Sequence, residues 1–102
     1  MVIRIKDHVE RCYSNEDGLV IQELLKNHLT NGEFVVLSFK GINSITSSFT
    51  NTALIELLDD FDFPYIQEHI HFKDSNKHIN SMIKNRFIFE SDRRHKKVLS
   101  TV

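Results

Sequence analysis

The side chains with the clearest chemical potential are three consecutive hydroxyl residues, Thr46, Ser47 and Ser48. They follow an apolar run at 34–39 and a turn at Gly41, and a helical pattern begins with them. Ser and Thr are preferred helix caps, so capping alone explains their presence. The alternative is that Ser47 carries a phosphoryl group, which the free backbone N–H groups and the positive dipole end of a helix start would stabilise.

Metal binding and nucleophilic catalysis have weaker support. His69 and His71 lie on one face of a predicted strand and His78 follows, so the three could bind zinc, but no thiolate is near them. Cys12 has no base beside it in the sequence, so we expect a buried structural thiol. We therefore predict no metal site, no cofactor and no enzymatic activity.

Charged residues cluster at two places. The end of the second predicted helix carries four carboxylates that we expect to form a solvated face: Glu56, Asp59, Asp60 and Asp62. Residues 1–83 carry 7 basic and 12 acidic side chains, whereas residues 84–102 carry 6 basic and 2 acidic ones. The basic end could bind nucleic acid phosphates through four side chains: Arg93, Arg94, Lys96 and Lys97.

Length and composition exclude several classes of protein. The chain has 102 residues, a net charge of −1, three glycines, one proline and one cysteine. It contains no apolar run of the roughly 18 residues that a membrane span needs, and we expect no membrane partner. Three glycines leave no room for a glycine-rich phosphate loop, and a single cysteine is typical of a reducing cytoplasm.

Strands and helices alternate in the elements that must position these residues. The predicted strands cover 2–5, 34–39 and 66–72, and residues 8–13 extend the first strand or pair with it. The predicted helices follow the turn at 14–18, run from Ser47 or Ser48 through Asp60, and begin after 74–76. This order predicts a small α/β layer fold with about four strands in a mixed sheet and three helices. We expect one domain at 1–90 and a basic, flexible tail at 91–102.

The run 35–58 resembles the core of STAS domains, the fold of bacterial anti-sigma factor antagonists. Its strand, Gly41 and hydroxyl-rich helix start match that core, although Thr46 stands where the antagonists have Asp, and Phe49 where they have Gly. It is closer still to shorter STAS-like domains of uncharacterised function, whose pattern ends in Ser-Phe as Ser48-Phe49 does. Asp17-Gly18 and the run 72–75 match further elements, so the resemblance covers roughly residues 10–90.

The resemblance implies a non-catalytic regulatory module that binds a protein partner, either a histidine-kinase-like ATPase or a regulatory factor. It implies Ser47 as a phosphoacceptor candidate, with Ser48 as the adjacent one. The implied partner-binding residues are Thr46, Ser47, Ser48, Phe49 and Asn51. The alternative function is a small nucleic-acid-associated regulator that uses the basic end of the chain.

Overall fold

The protein has the predicted α/β architecture. The computed structural model describes the backbone of residues 1–100 and the side chains of residues 1–94. Two 3-10 turns, Ile5–Asp7 and Ile55–Asp59, lie between the main elements. In chain order, these elements are β1 (Val2–Arg4), α1 (Asn15–Thr30), β2 (Val35–Ser38), α2 (Ser47–Ala53), α3 (Phe63–His69), β3 (Ile70–Lys73) and α4 (Lys77–Ser100).

The prediction of about four strands in a mixed sheet is wrong in both number and direction. In the part of the chain that the structure describes, the sheet has three strands, all parallel, in the order β1-β2-β3. Helices separate the strands in sequence and supply the crossovers that parallel pairing requires. The segment 8–13 forms no strand because its hydrogen bonding lies elsewhere: the Cys12 carbonyl accepts from the Thr46 N–H at 3.1 Å, at the start of α2.

The predicted count of three helices is also wrong, because a fourth helix occupies residues that we interpreted as a strand. The Asp62 carboxylate caps α3 by accepting from the Tyr65 N–H at 2.9 Å, and Pro64 lies in the first turn. Ile66 and Ile70 are four residues apart, a spacing that suits one face of a helix as well as one side of a strand. The strand itself begins only at Ile70.

The second predicted helix is confirmed at its start but not in its length. Leu54 has φ −122° and ψ −51°, which departs from helical geometry, so α2 ends at Ala53 and a 3-10 turn replaces the predicted continuation to Asp60. The apolar spacing in residues 49–61 also predicts an inward face, and the structure confirms it. Its side chains are buried or partly buried: Phe49, Ala53, Leu54, Leu57, Leu58 and Phe61.

The limits of α1 follow the sequence signals. The Ser14 hydroxyl accepts from the Asp17 N–H at 3.1 Å, and Gly32 has a φ of 72° just after the helix. The apolar spacing in this helix predicts that Val20 lies on the buried face with Ile21, Leu25 and Leu29, but Val20 is exposed. The fully buried apolar residues of α1 are Ile21, Leu25 and Leu29.

Helix α4 begins as predicted but continues beyond the expected end of the domain. The Asn76 side chain caps it by accepting from the Ile79 N–H at 2.9 Å. The helix continues to Ser100, so no helix end coincides with the predicted boundary at residues 90 and 91. The flexibility predicted for 91–102 stays a prediction. None of the described helices is long and apolar enough to cross a bilayer.

At the carboxyl ends of the strands, the register places a row of apolar side chains next to a row of polar ones. Ile3 lies beside Leu37 in one row of the sheet, and both are buried in the core. The next row contains Arg4, Ser38 and Lys73, the last residues of the three strands. Because successive strand residues point to opposite faces, this polar row lies on the face away from Ile3 and Leu37.

Helices α1 and α2 approach each other closely at Gly18. A Cβ atom at this position would lie 2.8 Å from the Thr52 Cβ and 2.9 Å from the Phe49 carbonyl oxygen. One turn later, the Gln22 amide donates to the Thr52 carbonyl at 2.6 Å. Only glycine permits this approach without displacing α2, because every other residue has a Cβ atom.

We expect Gly18→Ala to lower the free energy of unfolding by about 1–3 kcal/mol, as overpacking typically does. A decrease would point to the close approach, because replacing glycine with alanine inside a helix normally stabilises it by about 1 kcal/mol. Asn27→Ala, on an exposed position of the same helix, is the control and should leave stability equal or slightly higher. Urea denaturation measures both variants, and a Gly18→Ala protein as stable as the control would contradict the close approach.

Candidate functional site

Thr46 connects the start of α2 to the loop before α1. Its hydroxyl accepts from the Phe49 N–H at 3.2 Å and donates to the Tyr13 carbonyl at 2.9 Å. The Thr46 N–H also donates to the Cys12 carbonyl at 3.1 Å. The cap predicted for this helix is therefore confirmed, and the same side chain holds a segment more than thirty positions away in sequence.

Ser47 and Ser48 are both exposed in the first turn of α2. The structure shows no hydrogen bond from either hydroxyl to any residue whose side chain it describes. Phe49, which we also assigned to the binding surface, is fully buried and anchors α2 in the core. The helix thus exposes the hydroxyl groups of Ser47 and Ser48, while Phe49 packs it against the core.

Further polar contacts fix α2 against its neighbours. The half-buried Asn51 accepts a hydrogen bond from the Arg86 side chain on α4 at 2.8 Å. The Thr52 hydroxyl donates to the Asn15 side chain on α1 at 3.2 Å. Asn15 and Arg86 lie outside the predicted site, because no local sequence pattern connects residues 35 or more positions apart. These links make the start of α2 a well-positioned surface.

Cys12 is a structural thiol, as the sequence indicates. Its side chain is 1% exposed. Burial, and secondarily the negative charge of Asp17, raises the pKa of the Cys12 thiol from 9.0 to about 12. A thiol with this pKa stays protonated near neutral pH, so it is a poor nucleophile and a poor metal ligand.

The predicted geometry of the histidines is wrong, because His69 ends α3 and does not lie on the strand with His71. His69 is buried, its Nδ1 lies 2.9 Å from the Tyr65 carbonyl, and its ring stacks on those of Phe34 and Tyr65. His71 and His78 are exposed. Among the residues that the structure describes, no three His, Cys, Asp or Glu side chains form a group suited to a metal ion.

The acidic cluster links helices in addition to facing solvent. The Asp60 carboxylate lies 2.8 Å from the Lys26 ammonium of α1, and the hydrogen bond between them raises the pKa of Lys26. The Glu56 carboxylate accepts from the Gln22 amide at 3.1 Å. Asp62 caps α3. The Lys26–Asp60 ion pair is exposed and therefore weak on its own, whereas the Gln22–Glu56 hydrogen bond is partly buried.

The basic residues of α4 are partly neutralised within the chain. The Arg94 guanidinium lies 2.8 Å from the Asp59 carboxylate and 3.1 Å from that of Glu90. The Arg93 guanidinium lies 3.7 Å from Glu90. The side chains of Lys96 and Lys97 lie outside the described residues. The nucleic-acid hypothesis stays a prediction. Among the described side chains of the basic end, Arg94 already forms ion pairs with Asp59 and Glu90.

We expect Thr46→Ala to lower the free energy of unfolding by about 1 kcal/mol, because it removes the cap and the bond to the Tyr13 carbonyl. Thr46→Ser retains the hydroxyl and should recover most of the loss. Ser48→Ala is the matched surface control and should stay within about 0.5 kcal/mol of the wild type. Equal urea midpoints for Thr46→Ala and Ser48→Ala would contradict this role of Thr46.

We expect Cys12 to react with iodoacetamide at pH 8 at least about 100-fold more slowly in the folded protein than in denaturant. The raised pKa keeps the folded thiol protonated up to a pH of about 12, whereas the unfolded thiol ionises near 9.0. The folded-state rate should therefore rise only at strongly alkaline pH. Mass spectrometry follows the labelling, and equal rates in the two states would show that the thiol is accessible and reactive.

Comparison of the sequence with known protein families assigns the chain to one of them. The STAS-like domain of unknown function (DUF4325) matches residues 3–80, from β1 into α4, and this region contains the whole start of α2. Neither a curated protein nor a solved structure matches the chain. The family match covers more than half of the chain. The chain belongs to the family of STAS-like domains of unknown function.

Proposed function

We propose that this chain is a non-catalytic regulatory module that binds a protein partner in the bacterial cytoplasm through the start of α2. The observation that carries the proposal is the pair of exposed serines, Ser47 and Ser48, on a helix held by buried and polar contacts. A surface held in one conformation loses little conformational entropy when a partner docks. Thr46 and Asn51 complete this surface, and Phe49 supports it from the core.

Phosphorylation of Ser47, or of Ser48, is the proposed switch. Neither hydroxyl contributes a described hydrogen bond, so a phosphoryl group is added without the loss of a native contact. The neighbouring hydroxyls differ, since the Thr50 hydroxyl donates to the Thr46 carbonyl at 2.8 Å and is buried. A phosphoryl group adds nearly two negative charges and would oppose docking through repulsion and desolvation. The proposed partner and kinase is an ATPase of the histidine-kinase type.

The test combines the full chain with ATP and a purified histidine-kinase-type ATPase encoded near its gene. We expect phosphate on Ser47 or Ser48 by mass spectrometry. We also expect Ser47→Asp to weaken the complex at least about tenfold in a titration, or about 1.4 kcal/mol. Ser81→Asp places the same charge at an exposed serine of α4 and should leave binding unchanged.

Two results would count against the proposal. Unmodified serines, together with unchanged binding by Ser47→Asp, would remove the phosphorylation switch. Unchanged binding by a Ser47→Arg, Ser48→Arg double variant would remove the start of α2 as the docking surface. Salt-dependent retardation of DNA or RNA that is lost on changing Arg93, Arg94, Lys96 and Lys97 to Gln would instead support the nucleic-acid function.

A further inference from the structure

A second site lies at the carboxyl edge of the sheet, on the polar row of the strand register. Arg4, Ser38 and Lys73 end the three parallel strands side by side. Together with Lys40, Asp7 and Asp74 they line a polar cleft of about 400 Å³. Such a volume suits a small molecule. The cleft lies just outside the carboxyl ends of the three strands.

The three cations of the cleft are available to a ligand. Arg4, Lys40 and Lys73 form no ion pair with any residue among 1–94, the part of the chain with described side chains. All three are exposed and line the same space. The three positive charges outnumber the two carboxylates of the same cleft, Asp7 and Asp74, so the cleft has a positive net charge and attracts anions.

Ser38 and Asp74 both line the cleft and are hydrogen bonded to each other. Ser38 is 2% exposed, and its hydroxyl donates to the Asp74 carboxylate at 2.9 Å and accepts from the Lys40 N–H at 3.3 Å. Asp74 has a φ of 55°, a left-handed conformation that few residues other than Gly, Asn and Asp adopt. The hydrogen bonds of Ser38 thus hold Asp74 next to Lys73 and fix the backbone that carries Lys40.

We propose that this cleft binds the phosphate group of a small molecule. Arg4, Lys40 and Lys73 contact the phosphate oxygens through charge-assisted hydrogen bonds, and a phosphate offers these three donors more acceptor oxygens than a carboxylate does. Asp7 and Asp74 leave the cleft with only one net positive charge and can accept hydrogen bonds from hydroxyl groups next to the phosphate. The proposal is independent of partner binding at α2, since neither Ser47 nor Ser48 lines the cleft.

The test is an NMR titration of the isotopically labelled full chain at low ionic strength, with inorganic phosphate, ribose 5-phosphate, ribose and acetate as probes. Both phosphates should shift the amide signals of Arg4, Ser38, Lys40 and Lys73 in a saturable manner. Ribose should cause no shift, and acetate should bind more weakly than phosphate. Tighter binding of ribose 5-phosphate would assign an organic phosphate as the ligand, whereas equal affinity would assign free phosphate.

Charge variants make the test decisive. Lys73→Gln should weaken phosphate binding about tenfold, whereas Lys84→Gln, an exposed lysine that lines a different cleft, should not change it. Asp7→Asn should strengthen binding of inorganic phosphate, because it removes a negative charge from the same space. Asp7 is exposed and its side chain makes no described hydrogen bond, so the fold should tolerate this change. The absence of saturable shifts, or an equal loss in Lys73→Gln and Lys84→Gln, would overturn the proposal.

Discussion

The close approach of α1 and α2 at Gly18 is the constraint on which the candidate surface depends. Without a Cβ atom on Gly18, the backbone of α2 comes near enough for the Gln22 amide to reach the Thr52 carbonyl. The buried Phe49 ring then lies in the core and Ser47 and Ser48 remain on the outside. A larger residue at position 18 would displace the helix and, with it, the exposed hydroxyl groups.

Polar contacts at the rim of the core complete this arrangement. Thr46 attaches the start of α2 to the loop before α1, and Asn51 joins it to Arg86 of α4. Beyond α2, carboxylates continue the pattern, with Asp60 beside Lys26 and Asp59 beside Arg94. These exposed ion pairs contribute little to stability individually. Their effect is to orient α1, α4 and the 3-10 turn around the surface that we assign to a partner.

Sequence reasoning succeeded where a structural signal acts over a few residues. The caps at Ser14, Thr46 and Asn76 lie three residues before the N–H groups that they accept from, and each lies within a segment from which the sequence predicts a helix start: 14–18, 46–48 and 74–76. It failed at α3, because Ile66 and Ile70 have a spacing compatible with both a helix and a strand. The same error placed His69 on a strand face with His71, whereas His69 ends α3 and only His71 lies on β3.

The two candidate sites differ in how far the sequence indicates them. Ser47 and Ser48 follow an apolar strand and open a helix, so their place at a helix start is visible in the chain itself. Arg4, Ser38 and Lys73 are separated by more than thirty residues each and belong to one site only because three strands pair in parallel and in one register. Helix capping and apolar periodicity involve residues that are close in sequence, so they can be predicted from the sequence alone. Strand order and register arise from burial of the whole apolar face, which only the folded chain brings together.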